Sequence, residues 1–440
     1  MHGLTAALEK YLMPVAVKIQ NQKHLGSIRD GIVLTLPLII IGSLFLIIAF
    51  LPIPHYTDFM ADVFGKAWQE KLTYPVNATF DIMALIACIG VAYHLAKRYE
   101  VDGITAGVTA VAAFFLILPQ AMDFVPAGAK QSVHVTGIMP MVSLGSKGLF
   151  VALIVALLST EIYRFFIQKR IVIKMPDGVP PAVSRSFTAL IPGFVVLVFF
   201  WIVRLAIEWT PYQSVDRLIN AIITTPLSIL GGGLGGVLVA VFCIQLLWVV
   251  GLHGDAIVGS IMTPIWLALM DENRKVFMEN PHADLPNVVT SQFYEVWITV
   301  GGSGFTIALV LYYLFRAHSK QLKQLGGLAI GPAIFNINEP VIFGTPIVMN
   351  PLLIIPFLLA PLVIVLVTYL SMDIGWVAKP SGVAVPWTTP IFISGLLASG
   401  GKLSGAFIQL VDLLIAVVIY YPFVRLWDRQ KASEETAAKQ

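Results

Sequence analysis

The chain reads as an all-α polytopic membrane protein, with about ten transmembrane helices, amphipathic helices and re-entrant hairpin segments. Composition is the first reason. Of 440 residues, 57% are hydrophobic and only 12% charged, with a mean hydropathy of +0.83, whereas a soluble domain carries roughly 25% charge. Segment length is the second reason. Apolar runs able to cross about 30 Å of hydrocarbon recur at 31–53, 78–96, 103–119, 148–167, 187–207, 233–250, 296–315, 351–370 and 404–424. They are of helical length, unlike the roughly 10-residue alternating strands of a membrane barrel. The distribution of positive charge is the third.

Taken in order, residues 1–30 are amphipathic and carry Lys10, Lys18, Lys23 and Arg29, as suits a helix on the cytoplasmic face. Basic residues collect in cytoplasmic loops. That assigns Lys97-Arg98, the stretch from Lys169 to Arg185, Arg316 to Lys323, and the tail with Arg425, Arg429 and Lys431 to one side. Both termini are then cytoplasmic and the number of spans even. A crossing at 256–270, interrupted by Pro264, supplies the tenth, leaving 325–346 and 383–399 as re-entrant candidates. Four regions follow: an amphipathic helix at 1–30, a scaffold of spans at 31–208, a substrate-handling part at 209–427 and a tail at 428–440. The third is set apart by its punctuation, with glycines from 231 to 236 and Thr-Pro-Ile at 263–265, 345–347 and 389–391. Broken helices of this kind build midplane sites in transporters.

The most informative segment is Asn336-Ile337-Asn338-Glu339-Pro340, between Gly331-Pro332 and Gly344-Thr345-Pro346. Irregular backbone at membrane depth must be buried in protein or line a watery cavity. An ionisable group there marks a pathway or a site, which nominates Glu339 and the neighbouring amide of Asn338. His253, in Gly251-Leu252-His253-Gly254-Asp255, lies between two apolar runs. Its imidazole can donate and accept hydrogen bonds to hydroxyls, or else serve as a structural histidine at a helix junction. Trp387, in Pro386-Trp387-Thr388-Thr389-Pro390, offers a flat face for a sugar ring, or an interfacial anchor. Asp81, His94, Asp373 and Asp412 lie near span ends, where snorkelling or capping accounts for them. Cys88 and Cys243 sit in separate apolar runs and read as packing residues. No metal pattern, nucleotide-binding loop, esterase-type nucleophile motif or nucleic-acid footprint occurs, so no metal, cofactor or nucleic acid is expected.

With GLHGD at 251–255, FNINEPVIFGTPIVMNP at 335–351 and MPDGVPPAVSRSF at 175–187, the chain resembles a permease (enzyme IIC) component of the bacterial phosphotransferase system. The similarity is to the lactose/cellobiose/diacetylchitobiose group, over nearly the whole chain. The resemblance implies a homodimer in the bacterial inner membrane, with an N-terminal dimerising part and a C-terminal part that moves as a rigid body. It implies import of a β-linked disaccharide, cellobiose or diacetylchitobiose, with phosphorylation of the 6-hydroxyl by a phosphocysteine on a IIB subunit. No IIB-like domain follows residue 440, so that partner is expected as a separate chain. By the same resemblance His253, Glu339 and Trp387 line the sugar site. Glu339 lies at the reacting hydroxyl, as the residue that positions it for phosphoryl transfer.

A rival reading is an ion-coupled secondary transporter with Glu339 as the proton or cation site. A membrane enzyme acting on a lipid-linked sugar would need a second acidic partner at suitable spacing, and the sequence offers none.

Overall fold

The computed structural model describes residues 10, 13–51, 53–125, 131–176, 178–345, 347–348 and 350–437. Most of the expected segment 1–30 before Met13, Pro346, and the last three residues of the tail lie outside that set. The chain divides into two compact units, one of residues 22–42 and 74–227, the other of 1–21, 43–73 and 228–440.

The unit of residues 22–42 and 74–227 is built around Met83–Arg98, whose Ala84, Ala87, Cys88, Val91, Ala92 and Leu95 are all buried. Lys23–Val33, Gly103–Ile117 and Leu149–Gln168 pack around it. Small residues set the closest crossing. A Cβ on Gly31 would lie 2.4 Å from the Val91 backbone nitrogen, and one on Gly90 would lie 2.7 Å from the Gly31 carbonyl oxygen. In a membrane, where lipid tails are as apolar as side chains, such contact lets van der Waals packing hold helices together. Gln22 and Asp102 cap two of these helices by accepting from Leu25 N and Thr105 N. A two-stranded antiparallel hairpin, Ala121–Phe124 with Val133–Thr136, pairs Ala121 with Thr136.

The other unit carries the punctuated half. Leu234–Val249 packs on Gly254–Glu279 and on Pro351–Asp373, and Ile307–Arg316 packs on Lys320–Ile334 and Leu403–Ala437. Leu403–Ala437 also supplies acceptors at the start of Lys320–Ile334, beside its N-cap Ser319. Asp428 accepts from the backbone of His318 and Ser319, and Glu435 accepts from Lys320 N and Gln321 N at 2.9 Å. Acceptors at a helix N-terminus satisfy its orphan N–H groups and favour its dipole.

Six helices among the described residues are long and apolar enough to span a membrane. There are seven if Val215–Gly232 and Leu234–Val249, bent by 78° at Gly233, form one span. Ten is therefore approximate, since Gly103–Ile117 and Ile307–Arg316 are apolar but shorter. The run at 296–315 is not one helix. A π-helix, Phe293–Ile298, gives way to a loop in which Gly301, Gly302, Gly304 and Phe305 all have positive φ, and α-helix resumes at Ile307. The 256–270 segment is the start of a longer helix, Gly254–Glu279, that runs straight through Pro264. Its second half bears Asp271, Glu272, Arg274 and Lys275, so its apolar stretch is too short for the span expected there. Thr263-Pro264 is thus no break, whereas Thr345 ends the helix Glu339–Gly344 and Thr389 lies in a loop. Asp412 does not snorkel. It is fully buried inside Leu403–Ala437, and both its oxygens face the Thr368 hydroxyl at 2.9 and 3.0 Å.

Candidate functional site

Three interrupted elements of the second unit converge on a cavity of about 310 Å³. The first is the junction between Leu234–Val249 and Gly254–Glu279. Gly251 turns the chain with φ 80°, and Gly254 has no room for a side chain: its Cβ would fall 2.0 Å from the Ile244 carbonyl oxygen. His253 is the N-cap here, its Nδ1 accepting from Ala256 N at 3.2 Å. Its ring lies 4.5 Å from that of Trp248.

The second element is the π-helix Phe293–Ile298 with its left-handed loop. Tyr294, Glu295, Thr299 and Ser303 line the cavity from there. Tyr294 stacks on Trp266 at 5.2 Å, and Trp266 donates from Nε1 to the carbonyl of Gly231, a glycine of the 231–236 run. Gln292 orients Glu295 by donating to its Oε2 at 3.1 Å, while its own Oε1 accepts from Val385 N.

The third element is the turn 335–338. Lys320–Ile334 ends, Asn336 takes φ 63°, and Glu339–Gly344 starts with Pro340 in its first turn, where a missing N–H costs nothing. The Asn338 side chain does not cap that helix. It donates from Nδ2 to the Ser303 carbonyl at 2.8 Å. Asn336 accepts from Gly301 N at 2.7 Å and donates to the carbonyls of Trp387 and Thr389. The irregular 381–392 segment that carries Trp387 is closed on itself where Ser381 N meets the Ala398 carbonyl at 2.8 Å.

All four residues nominated from the sequence, His253, Asn338, Glu339 and Trp387, line this one cavity. The Glu339 carboxylate has no hydrogen-bond partner among the described residues, so it is available to a ligand. Trp387 is half exposed into the space. Sequence reasoning missed Trp248, Asp255, Trp266, Tyr294, Glu295, Thr299 and Ser303. Asp255 stood inside the quoted GLHGD block. Glu295 lies at the head of the 296–315 run, and a carboxylate before an apolar run was the signal available for it. The wall thus combines indole faces with carboxylates, amides and hydroxyls, a surface suited to a neutral polyhydroxylated ring. No cluster of His, Cys, Asp or Glu among the described residues has the arrangement of a metal site.

Comparison with known proteins gives this geometry a context. The family profile described as "Phosphotransferase system, EIIC" matches residues 29–361. The "PTS system cellobiose-specific EIIC component" of Geobacillus stearothermophilus is 61% identical over 430 residues, covering 98% of this chain and 95% of the relative. The "Lichenan permease IIC component" of Bacillus subtilis (strain 168) is 55% identical over 435 residues, with 99% and 96% covered. Among solved structures, the crystal structure of the transporter ChbC, the IIC component from the N,N'-diacetylchitobiose-specific phosphotransferase system, superposes with a TM-score of 0.95 at 54% identity, over 98% of this chain and 99% of that one. The fold, the cavity and these matches lead to one conclusion: the chain belongs to the EIIC family of the phosphotransferase system, a family of helical membrane permeases.

Proposed function

We propose that the protein imports a β-linked disaccharide across the bacterial cytoplasmic membrane, as a homodimer with both termini inside. Cellobiose or diacetylchitobiose is the substrate, and a separate phosphorylated IIB chain phosphorylates it at the 6-hydroxyl as it arrives. The observation that carries this reading is the common cavity. It holds the Glu339 carboxylate, which has no hydrogen-bond partner among the described residues, beside His253, Asn338 and the indole of Trp387. Its volume suits a small ligand. The relatives' names, cellobiose-specific and N,N'-diacetylchitobiose-specific, favour the same substrate class for this chain.

In this reading Trp387 stacks on the apolar face of a sugar ring, while His253 and Asn338 hydrogen-bond its hydroxyls. Glu339 accepts from the 6-hydroxyl, fixes its orientation and takes its proton as the phosphoryl group is transferred. The cavity-bearing unit is the transport part and moves with its sugar as one body; the unit of residues 22–42 and 74–227 is the dimerising scaffold. The test is direct. Purified protein should bind labelled cellobiose or diacetylchitobiose, and uptake in vesicles should require phosphorylated IIB. Uptake that follows a proton or sodium gradient without IIB would establish the ion-coupled alternative.

A further inference from the structure

Asp255 is a side chain that joins two of the broken elements of the cavity, the Leu234–Val249/Gly254–Glu279 junction and the stretch from Tyr294 to Ser303. Its Oδ2 accepts from Trp248 Nε1 at 2.6 Å and from Ser303 Oγ at 2.5 Å, and its Oδ1 accepts from the Tyr294 hydroxyl. Trp248, Tyr294 and Ser303 are all buried. Among the described residues, no cation is among its partners. Three donors and its place in the first turn of Gly254–Glu279 compensate the charge instead, since a helix N-terminus favours an anion.

Each partner leads on to a residue that faces the cavity. Trp248 carries the indole that lies against the His253 ring at 4.5 Å. Ser303 offers its backbone carbonyl to Asn338, the residue before Glu339. Tyr294 stacks on Trp266. Each of these elements breaks its helical hydrogen bonding beside the cavity, between Val249 and Gly254, after Ile298, and between Ile334 and Glu339. Their mutual positions therefore depend on side-chain ties.

We propose that Asp255 is a positioning residue of the site. By gathering Trp248, Tyr294 and Ser303 it sets the distance between the histidine wall and the Asn338-Glu339 wall, and so preorganises the cavity for its ligand. The proposal rests on the sugar-binding reading above and adds to it a residue that acts through its neighbours.

The hydrogen bonds make the variants distinguishable. In Asp255→Asn one amide oxygen can still accept from Trp248 and Ser303, while the amide N–H can donate to the Tyr294 oxygen. Asp255→Ala removes all three ties. With cellobiose as probe and calorimetry as readout, Asp255→Ala should weaken binding by about tenfold or more at unchanged stoichiometry, the scale of one lost charge-assisted bond. Asp255→Asn should restore most of that affinity. Ser303→Ala combined with Asp255→Ala should be no worse than Asp255→Ala alone, because both act along one path.

Three outcomes would overturn the proposal: unchanged affinity in Asp255→Ala, reduced stoichiometry with unchanged affinity, or an Asn variant as weak as Ala, which would make Asp255 a charged ligand. If Asp255→Ala does not fold, the Asn and Ser303→Ala variants still decide. Asn close to wild type with Ser303→Ala several-fold weaker supports the assignment, and any other pattern rejects it. If the wild-type protein binds neither cellobiose nor diacetylchitobiose, the sugar reading fails, and hydrogen exchange tests positioning alone. Exchange at 301–306 and 338–342 should then be faster in the folded Asp255 variants, and equal protection would refute it.

Discussion

Gly302 and Asn338 approach so closely that a Cβ on the glycine would lie 2.3 Å from the amide carbon of the asparagine. The glycine also holds φ at 91°. Two independent demands thus exclude a side chain at this position, one steric and one conformational. Gly302→Ala is expected to destabilise the protein by about 1–3 kcal/mol or more and to displace Asn338 from the Ser303 carbonyl. Thermal unfolding in detergent together with ligand affinity checks it. An alanine variant of wild-type stability and affinity would contradict the close approach.

Glu339→Gln keeps the size of the side chain and removes the anion. If the carboxylate accepts from the reacting hydroxyl, affinity for the disaccharide should fall about ten- to a hundredfold, the worth of a charge-assisted hydrogen bond. IIB-dependent uptake should vanish. Normal phosphorylating uptake by a well-folded Gln variant would remove Glu339 from the chemistry.

His253 has a double role to separate, because its Nδ1 caps Gly254–Glu279 and its ring lines the cavity. His253→Ala should cost about 1 kcal/mol of stability through the lost cap. It should also lower sugar affinity by about 1–3 kcal/mol through the lost ligand bond. Asparagine, a strong N-cap, should restore the stability without restoring the affinity. Recovery of both in His253→Asn would make the histidine a cap only.

Energy coupling gives the broadest test. Vesicles with an intact phosphorelay should accumulate sugar phosphate in the presence of a protonophore at nearly the untreated rate. Collapse of uptake under those conditions would transfer Glu339 to the role of a proton site.

The helical class was legible because span length and low charge density depend on composition over long windows, which local context does not alter. A cavity wall was legible at 336–340 for a related reason. A carboxylate, two amides and a proline in an apolar run are tolerated only where they are buried in protein or line a cavity, and residues 336–339 line one. The break at 299–306 was harder to read. Its residues 300–305 are small or apolar and sustain a helical hydropathy average, while the positive φ of Gly301, Gly302, Gly304 and Phe305 and the close approach of the three glycines to Ile307, Asn338 and Phe357 are set by the folded structure. Asp255 was hidden for a different reason. Its three donors come from residues 248, 294 and 303, and spacing along the chain does not reveal a meeting in space. Pro264 misled in the opposite sense, since a helix whose proline is buried among its neighbours can absorb one missing N–H.

Asn336 shows how narrowly a single letter of this sequence is determined. Its backbone is left-handed, at φ 63°, a region that asparagine enters more readily than most residues with a side chain. Its amide at the same time receives one N–H, from Gly301, and serves two carbonyls, those of Trp387 and Thr389. Glycine would meet the backbone requirement and leave three polar groups without a partner. Aspartate would accept but could not donate, and glutamine would carry the right head on a longer arm with a poorer left-handed fit. The first asparagine of the motif is therefore specified by a coincidence of dihedral angle and valence, with no reference to the ligand. Variation at this position should be nearly absent even among permeases that differ in the sugar they carry.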